Sequence, residues 1–317
     1  MALLPDSPRG ETNFIPESSP QKSTNVRTKN KPPVALQALR MGLGALGAVA
    51  PQPAAAIAEH LFLTPKRHRR PAAEHELLAQ ARHLLVPGDA SALGSDQLAS
   101  WEWGHEGPRV LLVHGWEGRG AQLGSLVQPL LDRGFRVVTF DAPGHGNSPG
   151  STSSLVHFAR AVERMAEAYG PFEAIITHSM GGAATAWSTR NAPLAKRLVM
   201  IAPPIDVRDF TRQLSQTLSL SDEVRTEVER RLGKRLGVAP SELHVGRIAP
   251  RMTTPLLVIH DEEDRDVPIA CGETIAASWP GAKLIRTKTL GHRRILRDAQ
   301  VIVDAVRFAS GVEALTR

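Results

Sequence analysis

The chain has 317 residues, 42% apolar, 22% charged and 4% aromatic, which suits one large α/β domain or two smaller ones. Its 26 glycines and 24 prolines follow no triplet repeat, which excludes a collagen-like chain, and the single Cys271 cannot close an intramolecular disulfide, so a reduced, cytoplasmic setting is expected. The formal net charge of +6 resides in the front end: residues 1–70 carry ten Lys/Arg against four Asp/Glu, whereas residues 71–317 carry 28 of each, which argues against a nucleic-acid footprint on the main domain.

Residues 1–33 are rich in Pro, Ser, Thr, Asn and Lys with almost no apolar periodicity, and read as a disordered leader. From Val34 to about Leu63, the spacing of Leu36, Leu39, Leu43, Leu46, Ile57, Leu61 and Phe62 predicts two short amphipathic helices separated at Pro51-Gln52-Pro53. No run reaches the roughly 18 uninterrupted apolar residues of a membrane-spanning helix. Lys66-Arg67-His68-Arg69-Arg70 reads as a solvated basic linker, with peripheral contact of residues 34–70 on an anionic membrane kept as an alternative. Residues 34–99 are thus expected to be a helical extension and linker, and residues 100–317 the main domain.

Beyond residue 100, short Val- and Ile-rich runs alternate with helix-length segments. Strands are predicted over Val110–His114, Arg136–Asp141, Ala174–Ser179, Arg197–Ala202, Leu256–His260 and Lys283–Thr289. Helical patterns lie near Leu123–Leu131, Leu155–Tyr169, Met180–Arg190, Ile269–Ala277 and Ile295–Phe308. The alternation predicts an α/β fold, a mostly parallel sheet flanked by helices. The interval between Ala202 and Leu256 is too long for a simple crossover and contains the charged amphipathic stretch Asp222–Leu236, so a small helical cap is expected over about residues 205–250.

The segment Ala174-Ile175-Ile176-Thr177-His178-Ser179-Met180-Gly181-Gly182 runs a buried-type strand into Ser179 and then into a Gly-rich helix start. A sharp strand-to-helix turn pushes its apex side chain out at the carboxyl edge of a sheet, where the Met180 N–H and the helix dipole would face developing negative charge. Taken alone, the segment is equally consistent with a plain turn carrying an incidental serine. A serine hydroxyl needs a base and a group to orient that base, and both follow at predicted strand ends: Leu256–His260 leads into an acidic turn with Asp264, and Lys283–Thr289 leads to Gly291-His292. The order Ser179, Asp264, His292 suits the strand–elbow–helix type of hydrolase. Asp261, Glu262, Glu263, Asp264 and Asp266 crowd the acid loop; Asp264 ranks first by its distance from the strand end, then Asp266, then Asp261. The loop after Val110–His114 nominates the Trp116 N–H as second oxyanion donor, and the Trp116 indole either lines the acyl pocket or covers apolar surface. His114, His145, His178 and His260 lack metal-ligand spacing and no phosphate-binding Gly-rich motif occurs, so neither a metal nor a cofactor is expected.

Together, His114-Gly115-Trp116, the Asp141–Ser148 segment, His178-Ser179-Met180-Gly181-Gly182, His260 with Asp264 and Val267-Pro268, and Gly291-His292 resemble the ordered landmarks of the α/β-hydrolase superfamily, in its lipase/esterase and serine-peptidase-like branch, over roughly residues 100–310. The resemblance implies that Asp141–Ser148 is a structural loop and that the insertion shapes the substrate pocket. It also implies two departures: Thr177 stands where the elbow usually begins with glycine, and Asp261 where glycine usually follows the histidine. The expected function is a cofactor-free serine hydrolase acting on a small-molecule acyl substrate, a carboxylic ester or thioester, through an acyl-enzyme on Ser179. Amide or peptide hydrolysis, acyl transfer and a catalytically silent ligand-binding protein of the same fold remain alternatives.

Overall fold

A computed structural model describes residues 33–88 and 95–312. The leader expected over residues 1–33 lies outside the described residues, apart from Pro33. Eight strands form one sheet: β1 Arg82–Pro87, β2 Gln97–Trp103, β3 Arg109–Val113, β4 Arg136–Phe140, β5 Phe172–His178, β6 Ala195–Ile201, β7 Leu256–Asp261 and β8 Lys283–Thr287, in the order β1-β2-β4-β3-β5-β6-β7-β8. β1 pairs antiparallel with β2 and β2 with β4, and the remaining pairings are parallel. The helices are α1 Val34–Val49, α2 Pro51–Leu63, α3 Ala72–Ala79, α4 Val127–Leu131, α5 Leu155–Tyr169, α6 Met180–Ser188, α7 Val207–Leu218, α8 Asp222–Leu236, α9 Val245–Ile248, α10 Ile269–Ser278, α11 Gly291–Arg294 and α12 Ala299–Ala309.

Burial on both faces explains the unbroken apolar runs of the central strands. Along β3, Leu111 and Val113 join a core with Phe158, Val162 and Met165 of α5, while Val110 and Leu112 join one with Val301, Ala305 and Phe308 of α12. The period-2 alternation divides one apolar run between two cores.

The sheet begins earlier than the sequence pattern predicts, because β1 and the first three residues of β2 precede residue 100. Ser100 and Glu102 hide β2 in the sequence. Glu102 is nonetheless buried, and its carboxylate accepts from Arg109 of β3 at 2.8 Å and from Arg82 of β1, with Arg136 of β4 at 3.8 Å. Three arginines from three other strands compensate a charge that would otherwise exclude the segment from a sheet interior. Near the C-terminus, the single helix expected over Ile295–Phe308 is divided: Asp298 accepts from the Gln300 and Val301 amides, both at 3.0 Å, and so starts α12 afresh.

The insertion between β6 and β7 contains α7 and α8. Ser221 accepts from the Val224 amide at 3.3 Å to start α8, with Asp222 and Glu223 in its first turn and Lys234 and Arg235 in its last, charges that complement the helix dipole. The N-terminal helices dock on this insertion. Ala54, Ala55 and Ala58 of α2 are fully buried against Val224, Val228 and Leu232 of α8. The methyl groups permit close approach, and Glu59, 3% exposed, accepts from the guanidinium groups of Arg231 and Arg235, each at 2.7 Å. Among the described residues, no helix is long and apolar enough to cross a membrane.

Lys66, Arg67, His68 and Arg69 of the basic run are exposed, as expected of a solvated linker, but two of its arginines also dock on the core domain. Arg67 donates to the carbonyls of Ser148 and Gly150, each at 2.8 Å, and to that of Gly146. Arg70 pairs at 3.0 Å with the fully buried Asp141. Those acceptors converge only in the folded loop, about 80 residues along the chain, so composition alone could not reveal them.

Glu59→Ala would leave Arg231 and Arg235 without their shared partner, both of them part-exposed, so a cost of about 2 kcal/mol is expected rather than that of a fully buried pair. The thermal midpoint should fall by several degrees; an unchanged midpoint would mean that the ion pair does not hold α2 on the insertion.

Candidate active site

β5 ends at His178 and α6 begins at Met180, so Ser179 must turn the chain within one residue. It does so at φ 53°, ψ −128°, a conformation costly for a residue with a Cβ, while its N–H donates to the Ile201 carbonyl at 2.9 Å. Two glycines allow the neighbouring chain to press on this turn. A Cβ on Gly115 would lie 2.8 Å from Ser179 Cβ, and one on Gly181 would lie 2.5 Å from the His114 carbonyl oxygen. Thr177, the departure from the usual elbow glycine, is fully buried with its hydroxyl donating to the Val199 carbonyl at 3.0 Å. Gly182 leaves the space it occupies, since a Cβ there would come within 3.2 Å of Thr177 Oγ1.

The structure brings together the three residues singled out from the sequence. His292 Nε2 lies 3.0 Å from Ser179 Oγ, and His292 Nδ1 lies 2.7 Å from Asp264 Oδ2. With Nδ1–H donating to the carboxylate, Nε2 is free to accept from the serine hydroxyl. Asp264 Oδ1 accepts from the Asp266 and Val267 amides, both at 2.9 Å. Burial alone would raise the Asp264 carboxyl; hydrogen bonding to His260 and His292 and from the Val267 amide outweighs it and holds the group well below the ordinary carboxylate range. Asp266 is exposed and only its amide meets Asp264.

Asp261, the other departure and the third choice for the acid, has a different task. It is fully buried, and its carboxylate accepts from Thr287 Oγ1 at 2.8 Å, the Glu263 amide at 3.0 Å and the Leu290 amide at 3.1 Å. It thereby ties the end of β7 to the loop that carries His292. An acid at a strand end facing a second strand end was the available signal, although the sequence could not separate this role from that of Asp264.

Neutral histidines hold the remaining loops. His178 Nε2–H donates to the His292 carbonyl at 2.8 Å. His114 Nδ1–H donates to the Gly115 carbonyl at 2.7 Å while its Nε2 accepts from the Ala142 amide at 2.9 Å. His145 Nδ1–H donates to the Pro143 carbonyl at 2.9 Å and its Nε2 accepts from the Glu117 amide at 3.1 Å. A second proton on His114 or His145 would point an N–H at another N–H. Burial pushes His114 down to about 4; burial, with the neighbouring histidine, pushes His145 and His178 down to about 3. These contacts fix residues 114–117, and Trp116 lines the same cavity as Ser179 and Met180, the first residue of α6; among the described residues neither the Trp116 nor the Met180 amide has a hydrogen-bond acceptor. A cavity of about 500 Å³ opens over Ser179, lined by Trp116 and Met180 from the core domain, Phe210 and Leu214 from α7, and Leu36 and Phe62 from the N-terminal helices.

A sequence model described as the alpha/beta hydrolase family matches residues 110–305, from β3 into α12. The chain belongs to the alpha/beta hydrolase family. The pimeloyl-[acyl-carrier protein] methyl ester esterase of Chromobacterium violaceum, to which the chain is similar, is 28% identical over 242 residues, covering 63% of this chain and 93% of that one. Among solved structures, a monoacylglycerol lipase of Paleococcus ferrophilus superposes with a TM-score of 0.55 at 21% identity, over 68% of this chain and 99% of the other. A bromoperoxidase of Bacillus anthracis superposes with a TM-score of 0.53 at 17% identity, over 72% and 99% of the two chains. These two structures establish the shared fold of the family, whose chemistries differ. Helices α1 and α2 lie outside the stretch matched by the family model.

The buried histidines give stability a definite pH dependence. His114, His145 and His178 titrate at about 4, 3 and 3 in the folded protein, against an ordinary value of about 6.5 in the unfolded chain. As pH falls below about 6.5 the unfolded chain takes up protons that the folded one refuses, so stability is lost down to the folded values, on the order of 3 kcal/mol per histidine. The thermal midpoint should therefore be level above pH 7 and fall between about pH 6.5 and 4, with a shallower fall in His114→Asn. A midpoint that stays level across that window in both proteins would contradict the neutral assignment.

Proposed function

We propose that the protein is a serine hydrolase that cleaves a carboxylic ester or thioester through an acyl-enzyme on Ser179. The observation that carries this reading is the unbroken relay Ser179 Oγ, His292, Asp264, with separations of 3.0 and 2.7 Å, at the apex of the turn between β5 and α6. His292 Nε2 accepts the hydroxyl proton as Ser179 Oγ bonds to the substrate carbonyl carbon. The oxygen that becomes negative is met by the Trp116 and Met180 N–H groups and by the positive end of the α6 dipole. Collapse of the tetrahedral species breaks the bond to the alcohol or thiol, which leaves with the proton from His292. A water molecule then gives its proton to His292, attacks the acyl carbon and frees the acid and Ser179. Asp264, held ionised, keeps the His292 tautomer and stabilises the imidazolium formed at each step. The similarity to a protein named as a methyl ester esterase supports an oxygen ester as the substrate linkage.

Hydrolysis of p-nitrophenyl butyrate by single-residue variants tests the assignment. Ser179→Ala, His292→Gln and Asp264→Asn should each lower kcat by about a thousandfold or more, whereas Asp266→Asn should stay within about twofold of the parent. Activity that survives in Ser179→Ala, or that is lost in Asp266→Asn and kept in Asp264→Asn, would contradict these roles.

A further inference from the structure

The cavity above Ser179 has walls from two distant parts of the chain. Val207, Phe210, Leu214 and Leu218 of α7 form one wall. They recur at steps of three and four residues and so share one helix face. A second wall is formed by Leu36 and Leu39 of α1 with Leu61 and Phe62 of α2. The apolar lining follows α7 over its whole 12-residue length, about 16 Å of helix axis. This is an elongated, chiefly apolar space whose volume of about 500 Å³ falls within the roughly 300–1,000 Å³ of small-molecule sites.

The second wall is anchored rather than loosely laid on the domain. The alanine face of α2 is buried on α8, and Glu59 is enclosed by Arg231 and Arg235. Arg40 of α1 donates to the Thr217 carbonyl at the end of α7. The Leu63 carbonyl accepts from the Ser153 amide at 2.7 Å, and the Lys66 amide donates to Glu117 at 3.2 Å, beside the loop of Trp116. The last three anchors tie the extension to segments that line or adjoin the cavity, at Thr217, Ser154 and Glu117, while α8 holds α2 from behind.

We propose that α1 and α2 complete an acyl-chain site over Ser179, and that this site takes an unbranched acyl group of octanoyl to dodecanoyl size. An acetyl group would leave most of a space this long unfilled. Each methylene that enters leaves water for an apolar surface, so kcat/KM should rise by up to about fourfold per methylene until the chain meets the Leu36 wall. The reaction in this assignment rests on the serine-hydrolase reading above; the binding of the chain does not.

The test uses the full chain with two opposite changes at one wall residue, Leu36→Trp to fill the cavity and Leu36→Ala to enlarge it. Thermal midpoints of both variants within a few degrees of the parent report an intact fold. Leu36→Trp should lose at least tenfold in kcat/KM on the decanoate ester, and Leu36→Ala should move the optimum to a longer chain. Calorimetric titration with decanoate gives a readout independent of turnover: it should bind the parent and bind Leu36→Trp at least tenfold more weakly. Chain-length profiles and decanoate binding that are unchanged in both variants would overturn the wall while leaving the esterase reading intact. Decanoate binding that weakens in Leu36→Trp, in a protein that turns over no ester, would uphold the wall and overturn the esterase reading.

Discussion

Ser179 stands at a left-handed φ of 53° between a strand and a helix, a position that costs about 1–3 kcal/mol for a residue with a side chain, and its surroundings are built to hold it there. β5 lies between β3 and β6, so the turn is clamped from both sides, and the Ile201 carbonyl at the end of β6 takes the Ser179 N–H. Gly115 and Gly181 let the loop after β3 approach so closely that any side chain at either position would strike backbone or Ser179 itself. The same close approach brings the segment that carries Trp116 to the cavity lined by Ser179 and Met180. Thr177 shows how the usual glycine can be replaced: its hydroxyl finds the Val199 carbonyl, and Gly182 clears the volume.

Around this turn, the polar groups hold loops in place more than they carry charge. His114, His145 and His178 each serve as neutral connectors, two of them with a donor on one ring nitrogen and an acceptor on the other. Asp261 accepts from the Glu263 amide in its own loop, from the Thr287 hydroxyl at the end of β8 and from the Leu290 amide in the histidine-bearing loop. Asp264 differs because its carboxylate reaches His292 at 2.7 Å while two amides hold its other oxygen. Neighbouring carboxylates in one loop thus divide between fixing the loop and orienting the histidine, a division decided by which strand end each one faces.

The parts of this architecture that could be read from the chain are those in which local pattern and three-dimensional role coincide. β3 to β7 carry apolar runs because they are buried on both faces, and Ser179, Asp264 and His292 follow strand ends, as side chains at the carboxyl edge of a parallel sheet must. The parts that could not be read depend on partners far away in sequence. β2 carries Glu102 because arginines from β1, β3 and β4 surround it. Arg67 and Arg70 look solvated until the loop at 141–150 supplies their acceptors. The helical character of residues 34–63 is legible in their spacing, but their contact with α7, α8 and the cavity depends on residues more than 150 positions later. The role of Asp261 was not legible, since its partners Thr287 and Leu290 lie at and after the end of β8, more than 25 positions later.

The fold and the relay meet in one claim, that the Ser179 hydroxyl is the protein's nucleophile because the strand-to-helix turn aims it at His292. Mass mapping after reaction with a small fluorophosphonate tests this most directly, since such a reagent bonds covalently to an activated serine oxygen. The account predicts a single adduct on Ser179 that forms far more slowly in His292→Gln. A protein that stays unmodified at Ser179, or that is labelled at another serine equally fast in both forms, would contradict it.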